Sequence, residues 1–543
     1  MFKLTRPRNI FLFILLIINF LLRVDAFRQP YYYDFQDWSR YYLTAHHIVR
    51  FGEFVAPLQS GVSIGEIIGS PFYFYFIAAQ LLFKDDILFL GWVNLFLQVF
   101  NIILVFLLAK HMFGRDTALI ASVIFGFSDN ILNQSDALWS PYSLQPFLTL
   151  SYLLLLFAYL KKSYFSLLFS TAIFLISWGI NYSAFGVLPA YSFLAFIILK
   201  RIGNSKIYYT GVFITTLLTL LLVYFPRFYS ANTPFQISLL TNTILMTIGT
   251  TTGMISNPIE ILNSLYLRLE TLLKFFLVIE SPVRFYSFSL SIVVMMIIYF
   301  LRMRNKSYQK PYFLILFWAI VQFLFLAAFV KSNYPNDPFP SYYLTPILGI
   351  FAILIAEGSN NFLPNRGALK FFKIVFIVLF LYASSPNLSN RLDSIIYKLS
   401  HEPTRTFFYI PYQSHPAIDA VKSEVLAIKV QEKINDFNFF QLRGYRVINS
   451  HIYDYNHITD VSLFLTHLEI GLGAKLIENI DSIQPNYEQL GSDRYIFLIC
   501  PSKTQDDNPD ECLSFFLKSY SNYNLKNNFF SDKDYRAYLM KKE

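Results

Sequence analysis

The sequence predicts an all-α polytopic membrane protein, with about 11–13 transmembrane helices, followed by a small α/β extracytoplasmic domain at the C-terminus. Three observations predict it. Hydrophobic residues make up 55% of the 543 and charged residues only 15%, with a mean hydropathy of +0.43. Apolar runs long enough to cross a bilayer recur from Phe11 to Leu381, which a water-soluble core does not require. Beyond Pro386 the composition becomes that of an ordinary soluble domain of about 150 residues.

The net charge of +9 does not point to nucleic acid. Lys and Arg collect in short hydrophilic breaks between apolar runs, where cytoplasmic loops carry them, and no basic stripe interleaved with aromatics is present. The two cysteines, Cys500 and Cys512, are too few for a cysteine-built metal site or disulfide framework. Both a single disulfide and unpaired thiols remain open for them. The N-terminus carries Lys3, Arg6 and Arg8 before an apolar stretch from Ile10 to Leu22. No small-x-small cleavage site follows it, so it reads as a retained first helix entered from the cytoplasm.

Taken in order, the apolar runs place crossings at 10–24, 87–109, 113–128, 142–160, 164–180, 182–199, 207–225, 285–301, 311–330, 343–356 and 370–385. With the N-terminus inside, the breaks expected in the cytoplasm hold Lys110 and Arg115; Lys161 and Lys162; Lys200, Arg201 and Lys206; Arg302, Arg304, Lys306 and Lys310; and Arg366. Each of these is basic, as the positive-inside rule requires. The run 71–83 is apolar but short of the roughly 20 residues needed to span, and reads as a tilted or half-buried helix. The run 266–281 reads as interfacial. The outer face then receives 25–70, 129–141, 226–284, 331–342 and the C-terminal domain, Pro386 to Glu543. That domain shows helical periodicity at 417–434 and strand-like runs at 444–449 and 494–500. The division is therefore 1–385 for the membrane domain and 386–543 for the soluble one.

The first outer loop is the most informative stretch. It reads Pro30-Tyr31-Tyr32-Tyr33-Asp34-Phe35-Gln36-Asp37-Trp38, then Ala45-His46-His47-Ile48-Val49-Arg50-Phe51-Gly52, then Gly69-Ser70-Pro71-Phe72-Tyr73. A carboxylate soon after the first helix, an amphipathic segment ending in Gly, and a Ser-Pro opening the next apolar run follow one another. Later come Phe113-Gly114-Arg115, Leu138-Trp139-Ser140-Pro141 and Pro340-Ser341-Tyr342-Tyr343-Leu344-Thr345-Pro346. Over roughly the first 360 residues this order resembles the C-type (GT-C) membrane glycosyltransferases, specifically the protein O-mannosyltransferase and aminoarabinose transferase group (glycosyltransferase family 39-like). That family has an acidic pair, commonly Asp-Glu, at the position of Asp34. Here Phe35 stands where the Glu would fall, so only the first acid carries over, and Asp37 is a partial substitute one turn later.

What the resemblance implies is an inverting glycosyltransferase that takes a sugar from a polyprenyl-phosphate-linked donor at the outer membrane face. Such transfer needs a base for the acceptor hydroxyl and cations or donors for the departing phosphate. Asp34 is the candidate base, and Asp37 and Asp136 are candidates for catalysis or for positioning the acceptor. Arg227, Arg268, Arg284 and Lys331, on or near outer loops, are candidate donor-phosphate contacts, together with Tyr342 and Tyr343. Each has a plainer alternative: acids in an outer loop are usually solvated, single cations anchor helices at the interface, and tyrosines populate the aromatic belt. His46 and His47 are adjacent, so on a helix they diverge by about 100° and do not form a metal pair.

No cofactor and no metal are expected, and no nucleotide-binding fingerprint is present. The expected partners are the lipid-phosphate sugar donor, membrane lipids, and an acceptor that is lipid, glycan or protein; no nucleic acid is among them. Lean loops and few cysteines favour a bacterial inner membrane. A transporter or flippase of lipid-linked saccharide would place ionisable residues mid-helix and break its spans in two matching halves. A surface-glycan polymerase or ligase would carry its catalytic loop late in the chain. The acids here sit in loops and directly after the first helix, which favours the transferase.

Overall fold

In the computed structural model the residues described are 7–27, 72–84, 87–128, 140–181, 187–203, 206–229, 345–361, 367–385, 387–401, 438–442, 476–479, 495–501, 522–531 and 535–542, with short isolated stretches between them. The chain divides into two compact units. The first holds Met1–Gln29, Ile48–Pro57 and Ser63–Ile410, and the second holds Pro30–His47, Leu58–Val62 and Pro411–Glu543.

The first unit is helical: α1 (Pro7–Phe27), α2 (Phe72–Leu81), α3 (Ile87–Phe113), α4 (Arg115–Phe127), α5 (Ser140–Ser143), α6 (Gln145–Lys161), α7 (Tyr164–Ile180), α8 (Leu188–Ile202), α9 (Lys206–Tyr229), α10 (Leu348–Asn361), α11 (Gly367–Ser384) and α12 (Leu388–His401). Their boundaries follow local chemistry. Gly114, at φ 94, turns the chain from α3 into α4 with no residue to spare. Ser163 caps α7 by accepting from the Ser166 amide at 3.2 Å. Proline occupies the first turn of α6 and of α8, where its missing N–H has no helical partner to lose.

Two of the described helices, α3 and α9, are long and apolar enough to cross a membrane. They differ in position. The apolar window of α3 is 56% buried and that of α9 only 11%, so α3 is an axis of the bundle and α9 a peripheral helix. Helix α3 packs against α1, α4 and α6; α7 packs against α6 and α9; and α10 packs against α4. Phe213, Ile214, Leu217, Leu218, Leu221 and Leu222 of α9 are exposed, as are Phe371, Ile374 and Val378 of α11. Large apolar side chains at this density on the outside suit a hydrocarbon solvent and not water. At 10 residues, α2 is about 15 Å long, half the hydrocarbon thickness; it is nonetheless packed, with Tyr73, Phe74, Ile77, Ala78 and Leu81 buried. The runs 285–301 and 311–330 lie outside the described residues apart from isolated positions.

The second unit contains a five-stranded sheet, β1 (Asn438–Leu442), β2 (Leu476–Asn479), β3 (Tyr495–Pro501), β4 (Tyr523–Ser531) and β5 (Tyr535–Lys542), in the order β2-β1-β3-β5-β4. β1 pairs in parallel with β2 and β3, whereas β5 pairs antiparallel with β3 and β4. Leu498 faces Tyr538 across the centre, and both are buried. β3 coincides with the strand-like run 494–500; the runs 444–449 and most of 417–434 lie outside the described residues, as does Cys512.

Candidate active site

Contacts between named residues fix which helix ends lie together. Phe20, late in α1, packs against Trp92 and Phe96, early in α3, with ring centroids 6.3 and 5.6 Å apart. Tyr73 Oη, at the start of α2, lies 3.1 Å from Ser143 Oγ, just before α6. Gly179, at the end of α7, comes so close to Val223 of α9 and Phe72 of α2 that an added Cβ would stand 2.8 Å from Val223 Cγ1. The ends of α1, α7 and α9 and the starts of α2, α3 and α6 therefore share one end of the bundle. At the other end, the ring of His111 meets that of Phe157 at 4.9 Å, and the guanidinium of Arg201 lies 4.1 Å from the centroid of Tyr159.

Asp34 and Asp37 follow α1, and Asp136 precedes α5, but all three lie outside the described residues. So do Arg268, Arg284, Lys331, Tyr342 and Tyr343. Arg227 lies in the last turn of α9, with its side chain outside the described set. His46 is buried, and His47 is not described. Among the described residues no group of three His, Cys, Asp or Glu could hold a metal ion.

What the structure adds is a polar ladder that the sequence reading did not single out. Asn94, Gln98 and Asn101 recur at i, i+4 and i+7, so they share one face of α3, and all three are buried. From the start of α3 they descend from about 10 Å to about 21 Å along its axis. Ser143 Oγ donates to Asn94 Oδ1 at 3.4 Å, and Gln98 Nε2 donates to the Tyr142 carbonyl at 2.9 Å. Asn101 Nδ2 donates to Gln145 Oε1 at 3.4 Å, and Thr149 Oγ1 to the Gln145 carbonyl at 2.9 Å. The ladder ends in a narrow crevice bounded by Asn101, Gln145, Thr149, Tyr152, Thr345 and Gly349. Tyr152 Oη donates to the Pro346 carbonyl at 3.5 Å.

The position of Thr345 and Pro346 is informative. A Cβ on Gly349 would meet Val105 and Thr149, so α10 begins alongside a point about 27 Å down α3. The segment carrying Tyr342 and Tyr343 thus leads into a helix that starts inside the bundle and not at its surface. Neutral amides and hydroxyls here hydrogen-bond across the interface of α3 with α5 and α6 without placing a charge in low dielectric. The signal was present in the sequence as three amides on one face of an otherwise apolar helix.

Two buried ionisable residues also stand out. Arg23 is fully buried, four residues before the end of α1, and Glu357 is buried four residues before the end of α10. Thr117 Oγ1 donates to Glu357 Oε2 at 2.7 Å, while Asn360 Nδ2 donates to Thr117 Oγ1 at 3.0 Å, which ties the end of α10 to the start of α4. Both charges sit one turn from a helix end, not mid-span as a transport pathway requires.

No known family profile matches the chain, and no characterised protein matches it in sequence. In structure it resembles ArnT from Cupriavidus metallidurans bound to undecaprenyl phosphate, with a TM-score of 0.50 at 10% identity, over 98% of this chain and 97% of that one. The apo state of the same protein gives 0.49 at 11% identity over 98% and 97%. The oligosaccharyltransferase AglB from Archaeoglobus fulgidus, in complex with an inhibitory peptide and a dolichol-phosphate, gives 0.44 at 13% identity over 90% and 69%. The match to undecaprenyl-phosphate-bound ArnT is the one that carries the assignment of fold, and it runs from end to end in both chains.

Proposed function

We propose that this chain, which has the fold of the C-type membrane glycosyltransferases, transfers a sugar from a polyprenyl-phosphate-linked donor to an acceptor at the outer membrane face, with inversion. The observation that carries this reading is the end-to-end likeness to ArnT, whose structure holds undecaprenyl phosphate. The acidic loop directly after α1 supports it further.

In the proposed reaction Asp34 accepts the proton of the acceptor hydroxyl as that oxygen attacks the anomeric carbon. The bond from that carbon to the phosphate oxygen breaks, its electron pair leaving with the polyprenyl phosphate. Single displacement inverts the anomeric centre. Arg227, Arg268, Arg284 and Lys331 are the candidates to hold the departing phosphate, with Tyr342 and Tyr343 as hydroxyl donors. Asp37 and Asp136 orient the acceptor. About eleven crossings, an N-terminus in the cytoplasm and a C-terminal domain, 386–543, on the outer side complete the proposal, in a bacterial inner membrane.

The test is transfer of labelled sugar from a panel of polyprenyl-phosphate donors in membranes holding the wild type or Asp34→Asn. A general base contributes about 10²–10⁴-fold, so the variant should lose at least about a hundredfold while its expression stays normal. Equal transfer by the two proteins removes Asp34 from the mechanism and directs attention to Asp37 or Asp136.

A further inference from the structure

We infer that the end of the bundle opposite the candidate active site binds the phosphodiester headgroup of an anionic phospholipid. The helices that stop or start there bring Lys110, Lys161, Lys162, Lys200, Arg201 and Lys206 to one face. The carboxylates that the described residues place at that end are Asp116, in the first turn of α4, and Glu357, which accepts from Thr117. The balance is strongly positive.

Three of these cations lie against aromatic rings, Lys161 and Lys200 on rings of their own helices and Arg201 on a ring of the neighbouring helix. Lys161 Nζ lies 5.1 Å from the centroid of Phe157, whose edge packs on His111 of α3. Two residues along α6, Tyr159 carries the guanidinium of Arg201 from α8. Lys200 Nζ lies 5.5 Å from the centroid of Phe196. Charges from α6 and α8 are thus fixed around the meeting point of α3, α6 and α8. Beside them Leu160, Phe165 and Phe196 are exposed, at 42%, 72% and 50%, and offer an apolar seat for acyl chains below the charge.

Backbone geometry adds a separate observation. Lys162 closes α6 in the left-handed region, at φ 51 and ψ 37, a position that glycine ordinarily takes because it carries no Cβ penalty. It is the only non-glycine residue with positive φ among those described. Lys162 in this capping position adds a cation beside Lys161. Basic pockets between transmembrane helices are a recognised seat for anionic headgroups, and each nearby Lys or Arg strengthens the attraction.

The experiment uses the purified full chain in detergent, titrated with dioleoylphosphatidylglycerol or dioleoylphosphatidylcholine, with bound lipid counted by native mass spectrometry. Wild type should retain the glycerol lipid at least about tenfold more tightly than the choline lipid. The preference should fall to parity in the double variant Lys161→Gln/Arg201→Gln and persist in Lys398→Gln, which lies in α12. Should the double variant misfold, the charge-preserving pair Lys161→Arg/Arg201→Lys should retain the preference, and raising salt to about 1 M, where screening acts within about 3 Å, should abolish it in wild type. Equal retention of the two lipids by wild type, or a preference that survives both the double variant and high salt, overturns the inference.

Discussion

Gln98 sits where α3 meets the short helix α5, and its side-chain amide supplies the hydrogen that the Tyr142 carbonyl accepts. Replacing it with Leu leaves that carbonyl without the amide and removes the middle rung of the ladder. Interhelical polar contacts in membrane bundles are worth about 0.6 kcal/mol on average and up to about 1.7. Gln98→Leu should therefore destabilise the protein by about 0.5–1.5 kcal/mol, read as a lowered midpoint in thermal unfolding of the detergent-solubilised chain. An unchanged midpoint would mean that the contact is not made. At this scale the sequence was only partly legible. The charged and aromatic candidates were chosen from loops, where polarity signals function most visibly. The amides of α3 passed unnoticed because a few neutral polar residues barely alter the hydropathy of a 27-residue helix; their i, i+4, i+7 spacing was the signal to read. Arg23 and Glu357 escaped for a related reason: each lies one turn from a helix end and looks like a boundary charge.

Helix packing depends on close approach at small residues, and Gly179 is the clearest case. An added Cβ there would stand 2.8 Å from Val223 Cγ1 and 3.2 Å from Phe72 Cβ, so α2, α7 and α9 meet at a point that tolerates no side chain. Gly179→Ala should cost about 1–3 kcal/mol, the usual penalty of overpacking. Val223→Ala in the same chain should recover most of the loss, because it vacates the atom met first. A thermal double-mutant cycle measures that coupling directly; additive effects would contradict the contact. Long apolar runs gave the helices α1, α3, α6, α7, α8 and α9 close to their observed positions, since burial in lipid demands length and little else. α2 was legible as a short apolar element, but its packed state depends on neighbours distant in sequence. The sheet was legible only at β3, whose run Tyr495-Ile496-Phe497-Leu498-Ile499 is continuously apolar. β4 and β5 are mixed in polarity, and their pairing rests on partners that no local pattern reveals.

For the whole molecule, the loops that carry the acidic candidates attach to one end of the bundle and the aromatic-held cations gather at the other. The proposed transfer would use that polarity, with its chemistry at one membrane face and the proposed anionic-lipid contact at the opposite one. A carrier of intact lipid-linked saccharide would need a cleft that opens alternately at both ends. Among the described residues, Thr117, Glu357 and Asn360 tie the start of α4 to the end of α10. The measurement that separates the two classes most directly is the fate of the donor in proteoliposomes made with the full chain, a labelled polyprenyl-phosphate sugar and a membrane extract as acceptor source. The glycosyltransferase account predicts free polyprenyl phosphate appearing in step with labelled acceptor; donor that moves intact to the other leaflet, with no phosphate–sugar bond cleaved, would contradict it.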